Sequence, residues 1–312
     1  MGGALAALAD TPRTLTAVSP PALAAALTLH LGKLTAEARA WHWIVRHAHA
    51  DEDVCFRMTY GAFVGHIGAN AVLPGRIGEA LRLGVVRRRV PGSSVVTIGA
   101  TIVLETVLEL VFGVVLVLGV LLAGASLGPR GSPLHTITPL LIHPAALAAL
   151  AAVAAVGVAV WARHRSRAPE LARRMACGFS VLRSPRAFAA GVVGWKLVAW
   201  CLRLGAVYAF LVAFHVPASI WTALVVIAAQ IVSGIVPLLP GNAGTQQAAL
   251  VVALAGTAST GAVLGFGVGM QAATAVLDVV VGVVALAFVA KLVDLRAALG
   301  VLRRRRAQPA GM

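Results

Sequence analysis

Long apolar runs alternate with short basic clusters along this chain, and about 20 apolar residues are what a helix needs to cross a bilayer. Runs at about 17–35, 95–122, 137–161, 187–214 and 261–290 meet that length and predict five spanning helices. Two further apolar stretches, about 58–82 and 220–255, are interrupted by Pro74-Gly75 and Pro240-Gly241. Proline cannot continue a helix and glycine permits a sharp turn, so each stretch reads as two short helices joined by a bend. Between the runs lie Arg39 and Arg46, then Arg82 with Arg87, Arg88 and Arg89, the arginine-rich segment 164–186, and a tail holding Arg303, Arg304, Arg305 and Arg306.

Basic loops stay on the cytoplasmic side of a membrane. The clusters around Arg39 and Arg82 flank the stretch 58–82, which must then enter and leave on the same side. Three predicted spans separate it from 220–255, so the second stretch begins and ends outside, as a re-entrant hairpin or a pair of short spans. The expected fold is an all-α polytopic transmembrane helical bundle with two re-entrant hairpins related as an inverted repeat. Its membrane domain covers 17–292, between an N-terminal tail, 1–16, and a cytoplasmic basic tail, 293–312.

Composition agrees with that reading. The 312 residues are 59% hydrophobic and 12% charged, with a mean hydropathy of +0.90. A soluble domain cannot hide so much apolar surface. The net charge of +15 sits in topological clusters, so nucleic acid is not an expected partner. Arginine supplies all but three of the 26 basic residues; with the alanine excess this points to a GC-rich bacterial genome and the bacterial cytoplasmic membrane. Cys55, Cys177 and Cys201 are far apart and form no disulfide framework or zinc spacing. His42, His47 and His49 near the first loop read as interfacial. No P-loop, Ser-His-Asp set or HExxH helix occurs, so no cofactor or metal is expected and an enzymatic role has little support. The first 17 residues lack the pattern of a signal peptide.

The two bends share a sequence, Leu73-Pro74-Gly75-Arg76-Ile77-Gly78 and Leu239-Pro240-Gly241-Asn242-Ala243-Gly244, each preceding a helix-forming run. Backbone left unpaired at membrane depth must face protein or water. A helix restarting there aims its N-terminal amides into the cavity, a seat for phosphate. The first bend offers Asn70, Pro74, Gly75, Arg76, Gly78, Glu79 and Arg82; the second offers Pro240, Gly241, Asn242, Gly244 and Gln247. Arg76 opposes the helix dipole unless an anion is present, which makes it a candidate phosphate ligand. Arg82 reads equally as a cytoplasmic anchor. Within the spans, Glu105 and Glu109 share one helix face, and Lys196 and Arg203 share another. Such groups cost about 3 kcal/mol or more at the bilayer centre and are functional candidates, although pairing between helices also accounts for them. Asp278 and Gln271 on the last span are placed to line the same cavity.

The run Asn70-Ala71-Val72-Leu73-Pro74-Gly75-Arg76-Ile77-Gly78-Glu79-Ala80-Leu81-Arg82, together with Pro237 to Gln247, resembles the transmembrane region of lysylphosphatidylglycerol synthases. That family of flippase-like membrane proteins extends to glycolipid and hopanoid pathways, and the resemblance covers about 22–290. It carries asparagine, LPGRxGE and a later arginine in the first motif, and Pro-x-x-Pro-Gly-Gly-x-Gly then glutamate in the second. Here Asn242 replaces a glycine and Gln247 the glutamate, while Glu105 is followed by Thr106 and Glu109 rather than by arginine and aspartate. The family usually has one more N-terminal span, and the full synthases add a soluble aminoacyl-transferase domain; neither is expected here. The resemblance implies a translocator of membrane lipids, with an anionic phospholipid or polyisoprenyl phosphate as partner. The alternative is an enzyme or accessory subunit of lipid-linked glycan or aminoacyl-lipid synthesis, with Glu79 or Glu105 as base and Asp51, Glu52 and Asp53 as its acidic cluster. A scaffold that docks a separately encoded lipid-modifying enzyme on 164–186 is a third reading, and a homo-oligomer is a further candidate assembly.

Overall fold

The computed structural model describes residues 18–73, 77–90, 92–127, 169–234 and 244–307, and every regular element among them is a helix. The expected span 137–161, the tail 1–16, and the bend residues Pro74, Gly75, Arg76, Pro240, Gly241 and Asn242 lie outside the described residues.

Helix α1 (Pro20–Ala48) opens on Pro20 and Pro21, whose missing N–H groups and fixed φ suit a first helical turn. It does not stop near residue 35, as the charge pattern suggests, but continues to Ala48. Ala36, Ala38, Ala40, Trp41, Ile44 and Val45 are buried there, so the segment holding Glu37, Arg39 and Arg46 belongs to the packed helix rather than to a free loop. Next come α2 (Phe56–Val72), α3 (Ile77–Arg89) and α4 (Val95–Leu127). The basic segment expected as a loop contains a short helix, α5 (Pro169–Gly178), and a 3₁₀ turn, Ser180–Arg183. A methyl at Gly178 would stand 2.4 Å from Ala100 Cβ, so α5 packs closely on α4.

Helix α6 (Pro185–Ala213) includes a wide turn at Phe188–Val193, where the Trp43 indole lies against Gly191. It is followed by α7 (Ile220–Gly234), α8 (Thr245–Ala253) and α9 (Thr260–Ala307). Among the described residues, Val95–Ala123, Pro185–Ala213 and Thr260–Val289 are long and apolar enough to cross a membrane. Their outer faces agree. Val103, Val107, Leu110, Val111 and Val115 of α4 are exposed, as are Val276, Val280, Val283 and Phe288 of α9. Patches of that size need lipid rather than water. The chain is an integral membrane protein with several apolar helices.

Between helices in lipid, close packing takes over from the hydrophobic drive, and small residues allow it. Helix α1 lies along α6, with Gly32 against Leu202 and Gly205 against Leu29. Helix α2 crosses α9 more closely: a methyl at Gly68 would stand 2.6 Å from the Asp278 carbonyl oxygen and 3.1 Å from Gly282 Cα. Gly61 and Gly65 continue that contact against Val289 and Leu286. The apolar core then gathers into two principal clusters. One, around Phe210, Leu211, Ile227, Leu250 and Phe266, joins α6, α7, α8 and the start of α9. The other, around Trp41, Ala62, Phe63, Val86 and Ile98, joins α1, α2, α3 and the start of α4.

Candidate functional site

Two helix pairs flank the two Pro-Gly bends, α2 with α3 and α7 with α8, and each pair packs on itself. In the first, the Asn70 side-chain oxygen accepts the Gly78 N–H at 2.9 Å. This satisfies one of the donors that a helix start leaves over. Glycine is required there, because a methyl at position 78 would lie 2.2 Å from the His66 carbonyl oxygen. In the second pair, Gly244 sits before α8 at φ +88°, a backbone conformation that a side chain would strain. Its N–H donates to Gln247 Oε1 at 2.7 Å, and Gln247 Nε2 in turn donates to Gln271 Oε1 on α9.

A cavity of about 480 Å³ opens between these elements. Asn70 and Ala71 reach it from the first pair, Gln230 and Gln246 from the second. Helix α1 adds His30 and Lys33, α6 adds Arg203, and α9 adds Gln271, Thr274 and Asp278. The cavity thus brings together Asn70, Arg203 and Asp278 from the sequence-predicted set. Gln271 and Asp278 lie together in this lining. Gln247 stands behind Gln271 as its hydrogen-bond partner. Two charged contacts are built into the wall: His30 Nε2 lies 3.0 Å from Asp278 Oδ1, and Arg203 donates to Gln230 Oε1 at 3.2 Å.

The remaining predicted charges among the described residues form a chain of ion pairs that leads away from the cavity. Arg203 Nη1 lies 3.7 Å from Glu109 Oε1. The Lys196 ammonium donates to Glu109 at 2.9 Å and to Glu105 at 2.7 Å. Glu105 also accepts from Arg82 at 3.2 Å, and Arg82 lies 3.9 Å from Glu79. Lys196 and Arg82 are almost wholly enclosed, at 0% and 1% exposure. The pairing explains how α4, α6 and α3 tolerate charge inside a membrane protein. Arg82 is no surface anchor. Its guanidinium lies 3.7 Å from the Trp41 ring centroid and 4.8 Å from that of Phe63, an arrangement worth most where water is excluded.

Several residues that matter here escaped the sequence. His30 and Lys33 are three apart on one face of α1, and Lys33 pairs with Glu37 at 3.4 Å; a lysine, a histidine and an acid at helical spacing were the available signal. Gln230 is the lone amide in the apolar helix α7.

With this geometry in view, the comparison with known proteins is decisive on one point: the description "Lysylphosphatidylglycerol synthase TM region" matches residues 3–302. The chain belongs to the lysylphosphatidylglycerol synthase transmembrane-region family. No curated protein and no solved structure matches it. In this family member, the LPGRIG-type segment is bracketed by the Asn70–Gly78 hydrogen bond, and its later counterpart leads into the Gly244–Gln247–Gln271 chain.

Proposed function

We propose that this protein is a flippase-like translocator that passes a phospholipid or polyisoprenyl-phosphate headgroup across the bacterial cytoplasmic membrane. The observation that carries the reading is the cavity, to which both helix pairs contribute polar side chains beside Lys33 and Arg203. A volume of about 480 Å³ accommodates a headgroup, since ligand sites range over roughly 300–1,000 Å³. Acyl tails would remain in lipid outside.

The two pairs act as re-entrant hairpins in this reading. At 1.5 Å per residue, the 17 residues of α2, 15 of α7 and 9 of α8 reach about 26, 22 and 14 Å, short of a hydrocarbon core about 30 Å thick. Their shared LPGxxG sequence and the three spans that the sequence predicts between them support an inverted repeat, in which rocking one pair against the other opens the cavity to each leaflet in turn. The C-terminal tail is cytoplasmic in this arrangement.

The enzyme alternative has a second cavity, lined by Glu52 and Asp53 with His42, Arg46 and His47, but no described residue of either helix pair lines it. Asp51, Glu52 and Asp53 sit at the turn between α1 and α2, and no group of three or more metal-competent side chains gathers among the described residues. The test is reconstitution of the full chain in vesicles carrying headgroup-labelled lipids, with a membrane-impermeant quencher reading the outer leaflet. Headgroup-dependent exchange that slows about tenfold in Arg203→Gln supports translocation. Absence of exchange across anionic, zwitterionic and polyisoprenyl lipids refutes it.

A further inference from the structure

The direction of three amides in the cavity wall is set, directly or at one remove, by a neighbour that can only donate. A backbone N–H has no acceptor to offer, so the Gly78 N–H holds Asn70 with its oxygen turned inward to the protein. A guanidinium is likewise donor-only, and Arg203 engages the oxygen of Gln230. Gln271 is set at one remove: the Gly244 N–H takes the oxygen of Gln247, which leaves Gln247 its NH₂ group, and that group takes the oxygen of Gln271. Three amide oxygens of the wall are therefore engaged within the protein.

The charged groups lean the same way. Lys33 and Arg203 face the cavity, and the one carboxylate that the described residues bring to it, Asp278, is already 3.0 Å from His30. The acids that balance the two cations, Glu37 and Glu109, are not part of the lining. Acceptors in the wall are few among the described residues. Thr274 donates to the Met270 carbonyl at 2.9 Å and so presents lone pairs, and Gln246 can turn either way. Among the described residues, Phe210 and the His30 imidazole are the aromatic rings in the lining, too little for the cage that a quaternary amine prefers.

We propose that the cavity selects a headgroup bearing only acceptors and negative charge, a phosphoester without an ammonium, and that Gln247 sets this selectivity through Gln271. The assignment rests on the headgroup-binding reading of the cavity but not on movement of lipid. An ammonium entering the wall loses its hydration and meets the Lys33 and Arg203 cations and oxygens that each already accept one hydrogen bond, which costs far more than a missing contact with water available. A carboxylate at position 247 still accepts the Gly244 N–H but has nothing to donate to Gln271. The Gln271 amide then turns to donate outward, and its oxygen faces the cavity beside an added negative charge.

Equilibrium binding in detergent separates this from transport. Purified full-length protein is titrated with short-chain phosphatidylglycerol, phosphatidylethanolamine and phosphatidylcholine, and retention is read by native mass spectrometry. The wild type is expected to hold phosphatidylglycerol about tenfold more tightly than either ammonium lipid. In Gln247→Glu that ratio falls to near unity or inverts. Glycerol 1-phosphate in excess is the competitor: if it fails to displace the lipid, the site recognises a lipid phosphoester, and if it displaces it, the site recognises the soluble phosphoester itself. Equal wild-type affinity for the three lipids overturns the proposal whatever the variant does, and so does an unchanged ratio in a folded Gln247→Glu. Selective binding without any exchange in vesicles would sink the translocator reading and leave this one standing.

Discussion

Lys196 is the most consequential single side chain in the ion-pair chain, and Lys196→Met tests whether that chain holds the bundle together. Methionine keeps most of the lysine stem, so the change removes charge with little loss of volume. The ammonium is wholly enclosed and lies 2.7 Å from Glu105 and 2.9 Å from Glu109. At an effective dielectric near 20, each contact is worth about 6 kcal/mol of Coulomb attraction. Stripping the ammonium of water offsets much of that sum, and the carboxylates retain other partners, Arg82 for Glu105 and Arg203 for Glu109. The net cost of breaking such a buried set is about 3–5 kcal/mol, because a buried acid loses its strongest partner. In a chain of this size that corresponds to a melting drop of about 10 °C.

The assay is thermal unfolding of the purified protein in detergent, followed by tryptophan fluorescence. A double-mutant cycle makes it specific. In Lys196→Met/Glu105→Gln the acid that lost its lysine is gone as well, so the double variant is expected to be more stable than the sum of the single losses by about 2 kcal/mol. Glu105→Gln should also cost more than Glu109→Gln, since Glu109 is 35% exposed and Glu105 13%. A Lys196→Met melting point within about 3 °C of wild type, or strict additivity in the cycle, refutes the reasoning.

Other expectations follow from particular contacts. Gly78→Ala drives a methyl to 2.2 Å from the His66 carbonyl oxygen and 2.6 Å from Asn70 Oδ1; it is expected to cost about 3 kcal/mol and to expose the α2–α3 turn to protease. Stability should fall on acidification through His42, because burial first, then Arg39 and Arg46, lowers its pKa from about 6.5 to about 4. The unfolded chain takes up that proton near 6.5 while the folded one resists until about 4, so the contribution is complete above pH 6.5 and lost as pH falls towards 4. His42→Gln should flatten the dependence in an acid melting series. In a chain freed of its native cysteines, Asp53→Cys and Ser93→Cys should label from one side of the membrane, and Ser219→Cys and Ser259→Cys from the other; labelling of either pair from both sides removes the re-entrant arrangement.

What the sequence could reveal divides along physical lines. Apolar runs announced α4, α6 and α9, because length and hydropathy are local properties that lipid reads directly. The Pro-Gly bends announced that 58–82 and 220–255 would each split into short helices, since ring closure at proline acts on the spot. The end of α1 was not legible. Glu37, Arg39 and Arg46 looked like a loop because each charge was read alone, whereas Glu37 finds Lys33 on its own helix and Arg39 lies over the Phe56 ring. Partners 248 residues apart, as for His30 and Asp278, leave no trace in a local pattern.

The partial legibility of the charges points to how the site is organised. Sequence alone paired Glu105 with Glu109 and Lys196 with Arg203 on their helix faces, and left open whether they served function or merely one another. The structure separates them by position. Lys196 is enclosed by two acids away from the cavity, whereas Arg203 faces the cavity on one side and Glu109 on the other. An anion arriving beside Arg203 competes with Glu109 for the same guanidinium. From Glu109 the ion pairs run on through Lys196 and Glu105 to Arg82, which sits in the first helix pair. Glu109→Gln removes that competitor. Under the headgroup-binding reading it should tighten phosphoester retention severalfold while weakening the ion-pair chain, so affinity rises as the melting point falls. A variant in which affinity and stability drop together would show that Arg203 is held for the fold alone.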